Sequence, residues 1–232
     1  MKVLVVAAHP DDEVLGCGGT IAWHAERGHD VKVLILAEGV TSRQVKPTGG
    51  NAKALSNLAK SARRANKLLG VEQVELLGFP DNRMDSLARL DIIQTVENRV
   101  ASWKPEVVYT HHAGDLNIDH QITHEAVITA CRPSPGQCVT TVLCFEVPSS
   151  TEWRMAGVAQ DFHANWFVDI TRFLELKSRA LHEYADEMRP WPHPRSIQAT
   201  EHLARWRGAS TGVDAAEAFM LAHLLQRSAH GP

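Results

Sequence analysis

Several features that identify other classes of protein are missing from this 232-residue chain. No apolar run approaches the roughly 20 residues that a transmembrane helix needs. The apolar residues 2–8 run directly into His9, Asp11, Asp12 and Glu13, so they are too short and too acidic afterwards for a signal peptide. The four cysteines show no CxxC spacing and no dense framework, which argues against a disulfide scaffold. We therefore predict a cytoplasmic protein with reduced thiols and no membrane span.

An excess of charge of one sign is also lacking. The 24 lysine and arginine residues are matched by 27 aspartate and glutamate residues, and neither a basic stripe nor a block of like charge is present. This balance predicts no nucleic-acid partner and favours a small, largely uncharged substrate. The chain is instead rich in histidine, with thirteen residues, and imidazole is the commonest transition-metal ligand. Because we find no internal repeat and no linker, we expect a single domain over residues 1–232.

The hydrophobic pattern alternates between strands and helices. Buried strands are predicted at Val3–Ala8, Val31–Ala37, Gln73–Leu77, Val107–Thr110, Val139–Glu146 and Asn165–Ile170. Helices are predicted at Val14–Arg27, Asn51–Leu69, Leu87–Ser102, His120–Cys131, Arg172–Met188 and Asp214–Gln226. This alternation predicts the α/β class, with a doubly wound, mostly parallel, Rossmann-like sheet and helices on both faces. With the strand order 3-2-1-4-5, the loops after strands one and four face each other at the switch point, where such folds bind ligands.

The first of these loops carries His9-Pro10-Asp11-Asp12-Glu13 between the first strand and its helix. One or two acids there could cap the helix, but capping does not explain His9. The nearby Gly16-Cys17-Gly18-Gly19 leaves a dinucleotide-dependent oxidoreductase as an alternative. That alternative is weak, because the glycines fall inside the helix and the three carboxylates of the turn would repel a pyrophosphate.

The second loop, His111–Asp119, leads into a helix that begins near His120. Two polar groups from the first loop, His9 and Asp12, are therefore expected to face His120 across the crevice. Three protein ligands with room for a water molecule are typical of a catalytic zinc site. Imidazole and carboxylate suit zinc, although iron or cobalt could occupy the same set.

Two motifs in these loops resemble a known family. The motifs are Ala8-His9-Pro10-Asp11-Asp12-Glu13 and Asp115-x-Asn117-x-Asp119-His120. Together they are similar to the motifs of the LmbE-like, PIG-L family of zinc de-N-acetylases. The resemblance extends through Thr41-Ser42-Arg43, Gly78-Phe79-Pro80-Asp81-Asn82-Arg83 and His193-Pro194-Arg195-Ser196, so it covers most of the chain. It implies an LmbE-like fold and a hydrolase that removes acetate from an N-acetylated amino sugar of the N-acetylglucosamine type.

By position, the resemblance implies that His9, Asp12 and His120 bind Zn²⁺ and that Asp11 is the catalytic base. Several members of the family have a second histidine three residues before the metal histidine, whereas this chain has Asn117, which cannot carry a proton. The candidates for a general acid or an oxyanion donor therefore remain Asn117 and the following side chains: Tyr109, His111, His112 and His193.

The resemblance also favours Arg43, Asp81 and Arg195 as substrate contacts, because they lie in loops expected to overhang the crevice. The short chain favours a small N-acetylated sugar or sugar conjugate, and members of the family often form trimers or hexamers, which makes a homo-oligomer an expectation here. A non-catalytic metal-binding or sugar-binding module on the same fold is a further alternative. Such a module would not need Asp11.

Overall fold

The computed structural model describes residues 1–39, 50–226 and 228, and the described residues contain a seven-stranded sheet. Its strands are β1 (Lys2–Ala7), β2 (Asp30–Ala37), β3 (Gln73–Phe79), β4 (Val107–His111), β5 (Thr141–Phe145), β6 (Trp166–Asp169) and β7 (Ala216–Leu224). The α-helices are α1 (Asp12–Glu26), α2 (Gly50–Leu68), α3 (Arg89–Trp103), α4 (Ile118–Ala130), α5 (Leu174–His182) and α6 (Ile197–Ala209). None of the described helices is long and apolar enough to cross a membrane.

The strand order is β3-β2-β1-β4-β5-β7-β6, with the first five strands parallel and β7 antiparallel to both of its neighbours. This confirms the predicted doubly wound, mostly parallel sheet. Because β1 pairs with both β2 and β4, the two loops that follow β1 and β4 lie side by side at the carboxyl edge.

Both faces of the sheet are covered, as the near-continuous apolar strands predict. Along β1, Val3 and Val5 belong to a core that also contains residues of α1, α2, α5 and α6. Leu4 and Val6 belong to a second core that contains residues of α3 and α4. The strand is therefore fixed from both sides, and so is the start of the loop that follows it.

Helix α1 is interrupted at Cys17, whose φ of −147° and ψ of 26° are not helical. An interruption leaves backbone groups without partners inside the helix. Glu217 of β7 accepts hydrogen bonds from the Gly19 and Thr20 N–H groups at 2.9 and 2.6 Å, and Lys177 donates to the Leu15 carbonyl at 2.8 Å. Lys177 also pairs with Glu217 at 2.6 Å, and both side chains are buried. The segment of α1 before Cys17 thus has its own fixed orientation.

The glycines of α1 allow the helix to approach its neighbours closely. A Cβ atom at Gly16 would lie 2.3 Å from the Phe145 ring, and one at Gly19 would lie 2.7 Å from Ile170. Real Cβ atoms do not tolerate such distances, so the residues here must be small. This close packing brings the start of α1 onto the sheet.

The predicted helix Asp214–Gln226 is wrong, because most of this segment forms strand β7. Alanine and leucine favour a helix locally, but pairing with β5 and β6 outweighs that preference.

The helix predicted at Arg172–Met188 is shorter than expected, since α5 ends at His182. Helix α6 was not predicted at all. Its signal was Ser196, whose side chain accepts the Ala199 N–H at the start of the helix.

Candidate metal centre and substrate cavity

The structure brings His9, Asp12 and His120 together where the loops after β1 and β4 meet. His9 follows β1, Asp12 is the first residue of α1, and His120 lies in the first turn of α4. One ligand atom from each lies within 4.8 Å of the others, and all three side chains are buried. Asp12 Oδ2 is 3.2 Å from His9 Nδ1 and 3.1 Å from His120 Nε2.

The arrangement of these donor atoms suits a divalent cation better than it suits hydrogen bonds among the three side chains. Asp12 Oδ1 and both ring nitrogens of His120 are buried, and none of them makes a hydrogen bond of good geometry with a described residue. Buried polar atoms normally have hydrogen-bond partners, so several buried atoms without one in the same place need an explanation. Two imidazoles and one carboxylate are the ligand types that zinc prefers.

The outer ring nitrogen of each histidine faces a carboxylate. His9 Nε2 lies 3.0 Å from Asp119 Oδ2, and His120 Nδ1 lies 3.1 Å from Asp115 Oδ1. Metal-binding histidines usually donate their other N–H to such a group, which fixes the ring and its tautomer. The nitrogens that this leaves for a metal are His9 Nδ1 and His120 Nε2, the two that lie beside Asp12.

A second possible cation group, His9 with Asp81 and Asp119, is explained by the same contacts. Asp119 already accepts hydrogen bonds from the Asn82 and Met84 N–H groups, at 2.6 and 3.0 Å. The Asp119 carboxylate therefore already has partners in the loop after β3 and in His9. We interpret His9, Asp81 and Asp119 as a set of contacts that orients the His9 ring.

Asp115 is held by residues from a distant loop. Thr151 donates its hydroxyl to Asp115 Oδ2 at 2.6 Å, Ser150 donates to Oδ1, and the Asn117 N–H donates to Oδ1 at 2.9 Å. Asp115 belongs to the second loop motif, but the sequence indicated no role for it, and it did not indicate Ser150 or Thr151 at all. No pattern marks these two, because they become neighbours of Asp115 only through pairing of β4 with β5.

The cluster favours positive charge at its centre. Burial lowers the pKa of His9, but hydrogen bonds with Asp119 and Asp12 outweigh it and raise the pKa to about 10. Burial likewise lowers the pKa of His120, and Asp12 and Asp115 raise it to about 9. Although burial raises the pKa of Asp12, the neighbouring His120 holds it well below its usual range. Carboxylates that stabilise imidazolium in this way would equally stabilise a metal cation.

Asp11 lies beside the cluster in an unusual conformation. Its φ is 112°, in a region that few residues other than glycine adopt. Its carboxylate is buried, and Oδ2 lies 3.3 Å from Arg195 Nη1. Burial raises the pKa of Asp11 to about 8, against the opposing charge of Arg195. A carboxyl group with a pKa near neutrality is suited to taking up and returning a proton.

The other proposed catalytic side chains differ in accessibility. His111 is fully buried, accepts the Ala8 N–H on Nε2 at 2.8 Å and stacks on His120. Burial, and the charge of His120, hold its pKa well below the usual range. Asn117 caps α4 with its Oδ1 and donates its amide to Asn82 Oδ1 at 2.9 Å. His193 is exposed and lines the cavity beside the cluster, and its Nδ1 accepts the Arg195 N–H at 3.0 Å.

Two further candidates lie away from the cavity. The Tyr109 hydroxyl is 3.0 Å from His24 Nε2, in the core on the α1 side of the sheet. His112 Nε2 is 2.8 Å from the Gln160 carbonyl oxygen and is buried.

The cluster opens onto a cavity of about 760 Å³. Among the described residues, its charged lining consists of four carboxylates and two guanidinium groups: Asp11, Asp81, Asp186, Glu187, Arg189 and Arg195. Two of the predicted substrate contacts, Asp81 and Arg195, therefore face this space. The third, Arg43, lies outside the described residues.

The cluster, the buried carboxylate and the cavity lie at the carboxyl edge of a doubly wound sheet, where enzymes of this class bind their substrates. The chain belongs to the PIG-L family, described as GlcNAc-PI de-N-acetylase, which matches residues 4–131. The resemblance inferred from the two loop motifs is thereby confirmed.

Similar proteins carry out more than one reaction. The diacetylchitobiose deacetylase of Thermococcus kodakarensis is 28% identical over 197 residues, which cover 80% of this chain and 70% of that protein. The 4-oxalmesaconate hydratase of Pseudomonas putida is 29% identical over 229 residues, which cover 87% and 82%. The structure of N,N'-diacetylchitobiose deacetylase from Pyrococcus horikoshii superposes with a TM-score of 0.76 at 20% identity, covering 96% of this chain and 84% of that one.

Proposed function

We propose that this protein is a metal-dependent deacetylase that hydrolyses the acetamide of an N-acetylated amino sugar and releases acetate. The observation that carries the proposal is the convergence of His9, Asp12 and His120 beside the buried Asp11, at the bottom of a polar cavity. Membership of the PIG-L family and similarity to a diacetylchitobiose deacetylase support the same reaction. The non-catalytic module is disfavoured, because binding alone does not require a buried carboxyl group in a strained backbone at this place.

His9 Nδ1, Asp12 and His120 Nε2 would hold the metal, for which we propose zinc. When bound, the cation would lower the pKa of a water molecule and polarise the amide carbonyl. Asp11 accepts the proton of the attacking water as the new C–O bond forms. The same carboxyl group then returns a proton to the amine nitrogen as the C–N bond breaks, so that acetate and a free amino sugar leave.

His193 is the donor that we propose for the carbonyl oxygen of the substrate. Because its Nδ1 accepts a backbone N–H, the neutral ring carries its proton on Nε2. Its ring also lines the cavity, which the fully buried His111 does not. We propose that His111 and Asn117 position the loops on either side of the cluster.

The lining of the cavity suits a hydroxyl-rich substrate. Among the described residues, the carboxylates of Asp81 and Glu187 can accept hydrogen bonds from sugar hydroxyls, and the guanidinium groups of Arg189 and Arg195 can donate to them. Hydration of an organic acid, the reaction named for the Pseudomonas putida relative, is the second candidate. The volume of the cavity exceeds that of one amino sugar and fits a disaccharide or a sugar conjugate.

The proposal is tested by metal analysis and by acetate release from a panel of N-acetylated sugars, with unsaturated organic acids as the competing panel. Asp11→Asn should keep the metal and lower turnover about 10²–10⁴-fold, because the water loses its proton acceptor. His120→Ala should lose the metal, and Asp91→Asn on the exposed side of α3 should behave like wild type. Full turnover in Asp11→Asn, or hydration without acetate release, would contradict the proposal.

A further inference from the structure

We propose that Glu13 is a positioning residue that holds the Asp11 backbone in its left-handed conformation and so directs the Asp11 carboxylate toward the cavity. The inference rests on the proposed function, in which Asp11 moves the proton. Glu13 is completely buried, and it is not among the described residues that line the cavity. Its influence on the reaction must therefore pass through its neighbours.

The Glu13 carboxylate joins three separate parts of the chain. Its Oε2 accepts the Asp11 N–H at 3.0 Å. Its Oε1 accepts the side-chain N–H of Asn66 in α2 at 2.7 Å and the hydroxyl of Tyr184, which follows α5, at 2.6 Å. Both donors are themselves buried, and Asn66 is fixed further by a second hydrogen bond to the Ala62 carbonyl at 2.9 Å. Asn66 and Tyr184 therefore hold Oε1, and Oε2 accepts the Asp11 N–H.

Asp11 needs such support, because its conformation is costly. It is the N-cap residue of α1, yet its side chain makes no capping hydrogen bond. An aspartate at this position normally caps the helix with its own carboxylate. Here Glu13, two residues after the N-cap, accepts the N-cap N–H as the acid three residues after it does in a capping box, and the Asp11 carboxylate faces Arg195 and the cavity. A positive φ at a residue other than glycine is energetically unfavourable and persists only where its surroundings enforce it.

The test is Glu13→Gln with Tyr184→Phe as its matched control. Glutamine has one acceptor oxygen, and the two donors Asn66 and Tyr184 will hold that oxygen at the position of Oε1. Its NH₂ group will then face the Asp11 N–H, and two donors cannot form a hydrogen bond. We expect kcat to fall about 10²-fold, the effect of misplacing a catalytic group by about 1 Å, with KM and metal content unchanged. Tyr184→Phe removes a bond to Oε1 only, so it should lower the melting temperature and leave kcat close to that of wild type.

Two readouts decide the inference. A crystal structure of Glu13→Gln should show Asp11 outside the left-handed region, and a φ that stays positive would overturn the proposal whatever the activity. In the Asp11→Asn background, Glu13→Gln should lower kcat no further, whereas an undiminished effect there would show that Glu13 does not act through Asp11. If wild-type protein releases no acetate, the proposed function fails, and the crystal structure still decides the role of Glu13.

Discussion

Asp115 offers a direct measure of how strongly the surroundings of the metal site determine its affinity. Its Oδ1 lies 3.1 Å from His120 Nδ1 and also accepts bonds from Ser150 and the Asn117 N–H, while Oδ2 accepts the Thr151 hydroxyl. Asp115→Asn can keep its amide oxygen on the crowded side and turn its NH₂ toward Thr151, whose hydroxyl can rotate to accept. This variant loses the charge and keeps the geometry.

Asp115→Ala loses both the charge and the geometry. Removing the group that orients a metal-binding histidine costs about 10–100-fold in metal affinity. We therefore expect about 10-fold weaker zinc binding, or about 1.4 kcal/mol, for Asp115→Asn, and about 100-fold, or about 2.7 kcal/mol, for Asp115→Ala.

The assay is competition for zinc against a chromophoric chelator at a fixed pH. Asp186→Asn is the control, because it removes an exposed carboxylate from the lining of the cavity, whereas Asp115 is buried beside His120. Wild-type affinity in both Asp115 variants would refute the reasoning. An equal loss in Asp186→Asn would show that only long-range charge matters.

Two further predictions concern stability. Burial lowers the pKa of His24 to about 3, so the unfolded state takes up the proton first and the contribution of His24 to stability is lost as pH falls below about 6.5. Between pH 7 and 5.5, the wild-type protein should therefore lose about 1 kcal/mol of unfolding free energy relative to His24→Gln in chemical denaturation, and an identical pH dependence of the two proteins would contradict the assignment. Gly16→Ala should lower the free energy of unfolding by about 1–3 kcal/mol, because its Cβ would meet the rigid Phe145 ring at 2.3 Å. Gly18→Ala should cost less, because its Cβ would meet only the end of the Val14 side chain at 2.9 Å.

The parallel half of the fold was predictable because its signals are local. Each of its strands is an apolar run long enough to identify, and the rule for doubly wound sheets then orders the strands. The antiparallel edge was not predictable in this way. The segment Ala216–Leu224 has a helical composition and becomes a strand only because β5 and β6 offer it partners. The role of its buried Glu217 is not apparent from the neighbouring sequence, because this residue accepts backbone N–H groups at the interruption of α1.

The candidate metal ligands were predictable for a related reason. His9 and Asp12 are neighbours in sequence, and the switch point places His120 opposite them. The groups that support them come from segments without periodicity, such as Ser150, Thr151 and Tyr184. Whether these residues bind zinc and act as assigned stays a prediction.

The two histidines show why such support cannot be read from a motif. His9 presents Nδ1 to Asp12, whereas His120 presents Nε2. A motif specifies that an imidazole is present, but either nitrogen of the ring can bind a metal. The choice is made by Asp119, 110 residues from His9 in sequence, and by Asp115, which the loop after β5 holds against His120. The residue types of the centre are thus encoded locally, and its geometry is encoded by the packing of the whole sheet edge.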